Sequence, residues 1–537
     1  MSYVQTSRES RFGGLILPQE TVAGMIRETV ASMGGGAWDS TRATNKNVIG
    51  WDASSGSANA DTLPYADDLR YQSRDLYRNN PLAGGALRTL TTNVVGTGLL
   101  PQAMIDTHIL GLSDDEANAW QSDAERYFFL WAGSQNADIR RTLNFWQLQD
   151  LVFLTSLMSG DAFTIRRYKE RPGGLFGVCL QVVEGDRCAS PWGSETPNDH
   201  IRGGVEMDAD GAPIRYHFLQ EHPGETVPRS TRIAKWASVP AFDDEGMRLA
   251  LHHYEMDRPE QARGTPYLAP VMEALKQLGR YTEAEITAAV VSGMFSVLVK
   301  TETPSGMSGP IPGGIPGQVG GVPFTPPGTG LSRLQSGMIM DLAPGESVEV
   351  VNPNRPNTAF DPFVMAVMRQ ISARLELPLE VLVKHFDSSY SASRGALIEA
   401  WKTYRRRRSW LVASLCRPVW EWVISEAVAK GYLEAPGFFE SPLRRAAWLG
   451  CSWTGSPMGQ LDPLKEAKAA TEWMSNKATT LQNVTAEYFG GDYEDNMRQI
   501  ARERRMINDL PPDPNAPPAP AAPPAPARPD PDEEEEA

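Results

Sequence analysis

Cysteine is scarce in this sequence. The 537 residues include four cysteines, which stand far apart at Cys179, Cys188, Cys416 and Cys451. No two of them form a CxxC pair, so the pattern indicates neither a disulfide framework nor a zinc site. We therefore expect reduced thiols, and we expect the chain to bind no metal and no cofactor.

Long apolar runs are also missing. No stretch approaches the roughly eighteen uncharged apolar residues that a membrane-spanning helix needs. The first residues, Met1–Arg8, lack the apolar core of a secretory signal. These absences predict a chain that is not secreted and has no membrane partner.

The common signatures of a reaction centre are absent as well. There is no GK dipeptide, which excludes a GxxxxGK[ST] phosphate loop, and neither GxSxG nor HExxH occurs. The adjacent His252 and His253 point apart on a helix or a strand, so a structural role is favoured over a metal pair. The acidic run Phe242–Glu245 is more typical of a solvated turn than of a cation site. We expect a protein that is not an enzyme.

Two other classes remain open on these grounds. One is an enzyme, for example a nuclease or protease joined to a coat module, which a metal-dependent activity assay would reveal. The other is a monomeric adaptor with an acidic tail, which sedimentation would distinguish from a large assembly.

The charge balance is acidic, with a formal net charge of −15. This argues against a protein that grips nucleic acid over its whole surface. One strongly basic run stands out, Arg405–Arg408, with Lys402 one turn earlier. Four consecutive residues on a helix point in four directions, so they cannot all face one groove. Ion pairing between or within subunits, nucleic-acid contact and plain solvation are all compatible with this run.

The chain is organised around a central stretch, 265–408. Apolar residues from Leu268 to Met294 recur mostly at steps of three or four, which predicts an amphipathic helix. The following loop, Pro304–Gly330, has seven prolines, nine glycines and no charge. A hairpin is predicted from Gly337–Leu342 and Ser347–Val351, and a second helix from Phe360–Leu375.

The flanking regions have their own patterns. Before the central stretch, helices and then period-two strands predict a mixed α+β region. After it, Trp410–Lys430 reads as one helix bent at Pro418, and further helical segments follow. From Pro511 the chain is rich in proline and alanine and ends in an acidic run, which predicts a disordered tail.

Short segments along most of the chain resemble the lambda-type portal proteins of tailed bacteriophages. Each segment alone is weak, but their order and spacing together are specific. The most recognisable is Ser389–Arg394, followed by Ala396–Glu399. The others are Ser73–Pro81, Asn93–Gly98, Gly160–Phe163, Gln181–Asp186, Gly203–Glu206, Arg258–Gly264, Leu342–Gly345, Asn352–Pro356, Leu377–Pro378, Trp453 and Asp462–Lys465.

The resemblance implies an α+β portal fold, with an α/β wing, a two-helix stem, a small β-containing clip and a helical crown, in a ring of about twelve subunits. The divisions it implies are an N-terminal arm (1–60), the wing (61–262), stem helix 1 (263–295), the clip (296–352), stem helix 2 (353–376), a tunnel region (377–408), a wing return with crown (409–510) and the tail (511–537).

The resemblance also implies partners and a place. Double-stranded DNA would pass through the ring, which would contact the terminase large subunit, head–tail connector proteins, and major capsid and scaffold proteins. The protein would lie at the portal vertex of the virion and would assemble in the host cytoplasm.

Site residues follow from the same resemblance. Candidates for facing the DNA tunnel are Lys384, His385, Ser388, Ser389, Tyr390, Ser391, Arg394 and Lys402. Arg405, Arg406, Arg407 and Arg408 are candidates for ion pairing between subunits. Lys300 and Arg333 are candidates for docking the motor or a connector.

Overall fold

The computed structural model describes residues 9–12, 15–18, 55–191, 200–225, 235–293, 297–301, 346–350, 360–386, 389–459 and 462–508. The chain divides into two units, Met1–Asp61 and Thr62–Ala537. In the first unit, strands β1 (Glu9–Phe12) and β2 (Leu15–Pro18) form an antiparallel hairpin in which Glu9 pairs with Pro18. Helix α1 (Ala58–Thr62) lies where the units meet along the sequence.

The second unit begins with a layer of helices. Their bounds are α2 (Ala66–Asn79), α3 (Pro81–Val94), α4 (Thr107–Leu110), α5 (Asp114–Ala132) and α6 (Phe145–Ser159), with strand β3 (Leu100–Ala103) between α3 and α4. The longer helices begin where the sequence supplies caps. Ser113 and Glu116 form a capping box at α5, and Asn144 and Gln147 form another at α6. Asn80 accepts hydrogen bonds from the first amides of α3.

Three sheets complete this region. Strand β4 (Asp161–Tyr168) lies between β5 (Val178–Glu184) and β10 (Ala250–Tyr254), antiparallel to both. A second sheet contains β6 (Ile201–Arg202), β7 (Val205–Met207), β8 (Pro213–Leu219) and β9 (Trp236–Pro240) in that order. The predicted Asp210-Gly211 turn joins β7 to β8. Strand β3 pairs with a late strand, β13 (Cys451–Thr454).

Two apolar cores hold the layers together. The larger lies among the helices, where Phe128 contacts the rings of Phe145, Trp420 and Trp453. The smaller lies between the two sheets, where Phe163 meets Tyr216 and Phe218 edge-on. Because residues 410–454 contribute to the larger core, the chain returns to the helical layer after the central stretch.

The central stretch supplies two packed helices, α7 (Met272–Gly293) and α8 (Phe360–Arg374). Tyr267 donates a hydrogen bond to the carbonyl of Leu375, and the Tyr281 ring stacks on Phe360, so the two helices run antiparallel. The predicted apolar stripe is buried only near its base, at Leu268, Leu275 and Leu278. A turn of 3-10 helix, Ala269–Val271, precedes α7, so the α-helix begins at Met272, after the start of the apolar pattern at Leu268.

Beyond α7, strand β11 (Val297–Thr301) pairs antiparallel with β12 (Glu346–Val350), with Lys300 opposite Ser347. The predicted second strand of the hairpin therefore pairs with residues 297–301. Its predicted partner, 337–342, and the loop at 304–330 lie outside the described residues.

Residues 410–429 are helical, as predicted for Trp410–Lys430, but the helix does not begin at Trp410. Helix α10 (Tyr390–Leu411) passes through a π-helical turn, Val412–Cys416, directly into α11 (Arg417–Ala429). The wider π turn falls just before Pro418, which cannot donate a backbone hydrogen bond to the preceding turn. Because the π turn shifts the hydrogen-bond pattern there, the chain continues through the proline as helix.

Short helices and a helical end complete the chain. Helix α9 (Leu379–Val383) precedes α10, and α12 (Pro442–Trp448) precedes β13. The last three helices are α13 (Pro463–Ser475), α14 (Leu481–Phe489) and α15 (Tyr493–Asn508). None of the described helices is both long enough and apolar enough to cross a bilayer.

Candidate functional site

The predicted tunnel residues lie at the start of α10 or just before it, except Lys402, which lies about three turns further along the helix. Ser389 caps α10 by accepting a hydrogen bond from the amide of Ala392. Lys384 ends α9 in the left-handed region, at φ 55°, which reverses the chain toward α10. Exposed side chains among the candidates are Lys384, His385, Ser389, Tyr390, Ser391 and Lys402. Arg394 is half-buried, and Ser388 lies outside the described residues.

These residues therefore form one polar, solvent-facing stretch. Lys402 pairs with Glu399 at 2.8 Å on the same helix, which reduces the positive charge available there. Their contact with DNA stays a prediction, since a single chain does not show which surface faces a tunnel.

The basic run Arg405–Arg408 lies at the opposite end of α10, and its first two side chains reach separate acids. Arg405 pairs with Glu487 of α14. Arg406 lies 2.6 Å from Glu376, just past the end of α8, and 3.5 Å from Glu255, just past β10. One helical turn thus contacts three other parts of the chain.

Arg407 is buried and reaches the same two acids from the other side. Its Nη1 lies 3.1 Å from Glu255, and its guanidinium lies 4.5 Å from the centre of the Tyr267 ring. Burial raises the pKa of Tyr267 to about 12. The phenol of Tyr267 is therefore neutral and donates its proton in the hydrogen bond to the carbonyl of Leu375. The face of its ring contacts the Arg407 guanidinium in a cation–π interaction.

Arg408 contacts carbonyl oxygens instead of carboxylates. It donates to the backbone oxygens of Asn93, Val94 and Ser456 at 2.9–3.2 Å, and lies over the Trp401 ring. Burial first, and then the neighbouring charge of Arg405, lower its pKa to about 10. The side chain still carries its charge at neutral pH and joins the end of α3 to the segment after β13.

The four arginines together attach α10 to the base of the two-helix pair, to the end of β10, to α3 and to α14. The pairing seen here is within the chain, which is one of the alternatives left open by the sequence. Pairing between subunits stays a prediction for these residues. Of the docking candidates, Lys300 lies on β11, and Arg333 lies outside the described residues.

A buried ionic cluster under β4 was not predicted from the sequence. Asp161, fully buried, accepts hydrogen bonds from Arg263 and faces Arg70 at 3.7 Å. Burial by itself raises the pKa of this carboxyl, but Arg263, the His252 hydrogen bond and Arg70 hold it well below its usual range. A neighbouring pair, Arg74 and Asp186, adjoins the cluster.

The cluster accounts for several segments of the family resemblance. Arg74, Asp161, Asp186 and Arg263 come from four of those segments, and Arg263 also donates to the carbonyl of Gly203 in a fifth. The segments lie far apart along the chain and come together only in the folded structure. The sequence signal for this cluster was the recurrence of charged residues beside glycines. The spacing of these charged residues along the chain does not show that they contact one another.

The two adjacent histidines point to opposite sides of β10. His252 lies 3.3 Å from Asp161 and stacks on Phe163, while His253 hydrogen-bonds Thr164 at 2.9 Å. Burial lowers the pKa of both histidines, and that of His253 to about 3. Both are therefore neutral at neutral pH and are engaged within the sheet.

The acidic run Phe242–Glu245 is only partly a solvated turn. Asp243 forms an ion pair with Arg166 of β4 at 2.6 Å and accepts a hydrogen bond from the amide of Met247. The turn therefore folds back over β4. Another acidic group, Glu184 and Asp186 with His222, has the spacing of a cation site. Arg74 already neutralises Asp186, which disfavours a metal ion there.

Comparison with known proteins agrees with the resemblance. The sequence profile of the family described as phage portal protein, lambda family, matches residues 44–408. Portal protein B of Escherichia phage lambda is 23% identical over 505 residues, covering 91% of this chain and 92% of that protein. The portal protein of Escherichia phage N15 is 24% identical over 511 residues, covering 91% and 93%.

Solved structures with some likeness come from gene transfer agent particles. A chain from the virion of a native particle gives a TM-score of 0.41 at 12% identity, covering 78% of this chain and 92% of that one. A chain from the neck of an empty particle gives 0.40 at 14% identity, covering 65% and 82%. The profile match extends over well more than half of the sequence. This chain belongs to the lambda family of phage portal proteins.

Proposed function

We propose that this chain forms a closed ring of about twelve subunits at one vertex of a capsid and that double-stranded DNA enters and leaves through its centre. The ring is also the proposed docking platform for the terminase large subunit and head–tail connector proteins, and the nucleus from which capsid and scaffold proteins assemble. This assigns the protein to the virion, with assembly in the host cytoplasm.

The observation that carries the ring is the solvent-exposed apolar surface on the outer half of the two-helix pair. Ile286 and Val290 on α7 are 60% and 54% exposed, and Phe363 on α8 is 53% exposed. These side chains belong to apolar stripes whose inner halves are buried. A closed ring would cover each outer half with a different surface of the neighbouring subunit, because ring contacts are heterologous.

The charge distribution supports passage of DNA. A strongly basic lining would bind phosphates tightly and resist sliding. Here the basic run of α10 is occupied by carboxylates and carbonyl oxygens, and the exposed start of α10 carries few cations. An acidic body with a small number of guiding charges per subunit suits a conduit.

An enzymatic role is the alternative from another class. The family to which the chain belongs is a structural one, and the paired histidines are engaged in a buried sheet. Incubating the pure protein with duplex DNA and divalent metal ions is the direct check, since cleavage would favour the enzyme.

Native mass spectrometry with negative-stain imaging tests the ring. We expect a species near twelve times the 59.0 kDa chain, seen as a ring with a central hole. A stable monomer at all concentrations would contradict self-assembly and favour the adaptor alternative.

A further inference from the structure

The last described helix, α15, carries three arginines that pair with no carboxylate among the described residues. All residues from Glu494 to Asn508 are exposed. Arg498 pairs with Glu494 and Asp495 and donates to Ser122 of α5, which fixes the start of the helix. The second half of the helix extends beyond these contacts.

Three arginines lie in that second half. Arg502 donates to the side-chain oxygen of Gln499 and Arg505 to the carbonyl of Ala501, each at 3.4 Å. Within the described part of the chain, neither of them nor Arg504 pairs with a carboxylate. With Glu503 among them, the segment from Gln499 to Asn508 has a net charge of +2, from three arginines less one glutamate.

The helix dipole by itself explains part of this clustering of arginines. Cations in the last turn of a helix interact favourably with its dipole, and Arg505 fits that role. The dipole does not call for three arginines in four positions, however. Arg502 and Arg505 lie three positions apart and share one side of α15, and Arg504 lies on the opposite side, so the three surround the end of the helix. We call Arg502, Arg504 and Arg505 the arginine patch.

The chain itself supplies a complementary partner. Residues 530–536 contain six carboxylates and no basic residue, and 22 positions separate Asn508 from Asp530. The connection is rich in proline, and because such a chain extends at about 3.1 Å per residue, 22 residues reach up to about 70 Å. The patch spans only about 5 Å of helix, at 1.5 Å per residue, so the acidic run can reach it.

We propose that the acidic run 530–536 docks on the arginine patch of α15 and keeps nucleic-acid phosphate from binding there. Exposed ion pairs are individually weak, at about 0–1 kcal/mol each, so docking depends on several pairs and on the tether. The tether keeps the acidic run close to the patch at every protein concentration, which favours the run over dilute DNA.

The consequence is a portal whose basic helix end does not retain DNA. The inference rests on the proposed passage of DNA for the identity of the competitor. The docking itself needs neither a ring nor DNA, so the two can fail separately.

A crosslinking experiment on the full-length protein tests the docking. A photoreactive benzoylphenylalanine replaces Pro531 within the acidic run, and mass spectrometry maps where it reacts. We expect crosslinks to 499–508 that disappear in the R502Q/R504Q/R505Q variant. The same group at Pro517, in an uncharged stretch, is the matched control and is expected to react without that preference. Equal crosslinking from both positions would overturn the docking.

A binding experiment tests the competition. Fluorescence anisotropy measures a 20-base-pair duplex against the full-length protein at low salt. Replacing Glu533–Glu536 with glutamine is expected to raise the affinity about fivefold, because phosphate then meets an open patch. Adding R502Q/R504Q/R505Q is expected to abolish the gain. An unchanged affinity in the glutamine variant, or a gain that survives loss of the arginines, would overturn the proposal.

Discussion

At the scale of single residues, the buried Asp161 is the most consequential charge described here. It neutralises Arg263, whose guanidinium is also buried and donates to the carbonyls of Gly185, Cys188 and Gly203. A buried ion pair contributes little net stability, but removing one partner leaves the other charge uncompensated. The segments joined by Arg263 therefore depend on Asp161.

We predict that Asp161→Asn lowers the free energy of unfolding by about 3–5 kcal/mol, the usual cost of breaking a buried pair. Chemical denaturation measured by circular dichroism provides the value. Asp244→Asn, at an exposed position nearby, is the control and should change stability by less than about 0.5 kcal/mol. Equal stability of the two variants would show that the cluster does not hold the sheets together.

Glu125 gives a second prediction at this scale. Burial raises the pKa of the Glu125 carboxyl to about 7, and the negative charges of Asp492, Asp495 and Glu494 add to the rise. The hydrogen bond from the amide of Ala103 acts in the opposite direction. The folded chain therefore binds more protons than the unfolded chain between about pH 4.5 and 7. The contribution of Glu125 to stability falls as pH rises through that window.

Glu125→Gln removes this dependence while keeping an oxygen to accept from Ala103. We expect it to stabilise the protein by about 1–2 kcal/mol at pH 8 and to have little effect at pH 5. Thermal unfolding at both pH values measures the difference. Asp123→Asn, on the exposed side of the same helix, is the control, and an equal effect of Glu125→Gln at both pH values would contradict the assignment.

At the scale of elements, α10 is held mainly through the two acids that share Arg406 and Arg407. Glu255 follows a strand of the sheet and Glu376 follows α8, so the two arginines join three elements at one point. Arg406 is exposed, so its pairs with the two acids contribute about 1 kcal/mol or less. Arg407 is buried, so losing both acids leaves its charge without a counterion.

We predict that the double variant E255Q/E376Q speeds hydrogen exchange in α10 and lowers the midpoint of unfolding, because Arg407 stays buried without a counterion. Exchange followed by mass spectrometry reports on the helix directly. Glu399→Gln removes a solvent-exposed pair on the same helix and should leave exchange near Arg406 and Arg407 unaffected. Unaltered exchange in the double variant would show that packing alone positions α10.

The loop Pro304–Gly330 leads to a different prediction. It carries no charge and is rich in proline and glycine, a composition that cannot bury enough apolar surface to fold independently. Replacing it with a short glycine–serine linker should leave ring size unchanged but impair binding of the motor or connector. Native mass spectrometry and a pull-down measure the two effects, and loss of rings would contradict this separation of roles.

At the scale of the whole molecule, association is expected to depend on apolar surface that one chain leaves uncovered. The outer side chains of α7 and α8 provide that surface at the proposed ring contact. Burying apolar area contributes about 25 cal/mol per Å², and a ring repeats the gain at every interface.

We predict that the double variant I286S/F363S prevents ring formation without loss of the protomer fold, since both side chains are more than half exposed. Sedimentation velocity measures assembly, and circular dichroism measures folding. Ile214→Ser, an exposed apolar position on β8, is the control and should assemble normally. Rings of unchanged stability in the double variant would place the subunit contact elsewhere.

The sequence by itself determined most of the local structure. Helix α6 runs from Phe145 to Ser159, because Asn144 and Gln147 cap its start and Gly160 ends it. The ordered segments of the family resemblance were also sufficient to identify the family. Capping residues, hydrophobic periodicity and the order of motifs are properties of the sequence itself, so they can be recognised before the tertiary structure is known.

Tertiary structure alone decided what the charged residues do. The partners of Arg405–Arg408 lie up to about three hundred positions away, and Asp161 meets Arg263 across 102 positions. The continuation of α10 through Pro418 likewise depends on a π turn buried against the core. Charge pairing and burial depend on distances in space, and the spacing of residues along a chain does not fix those distances.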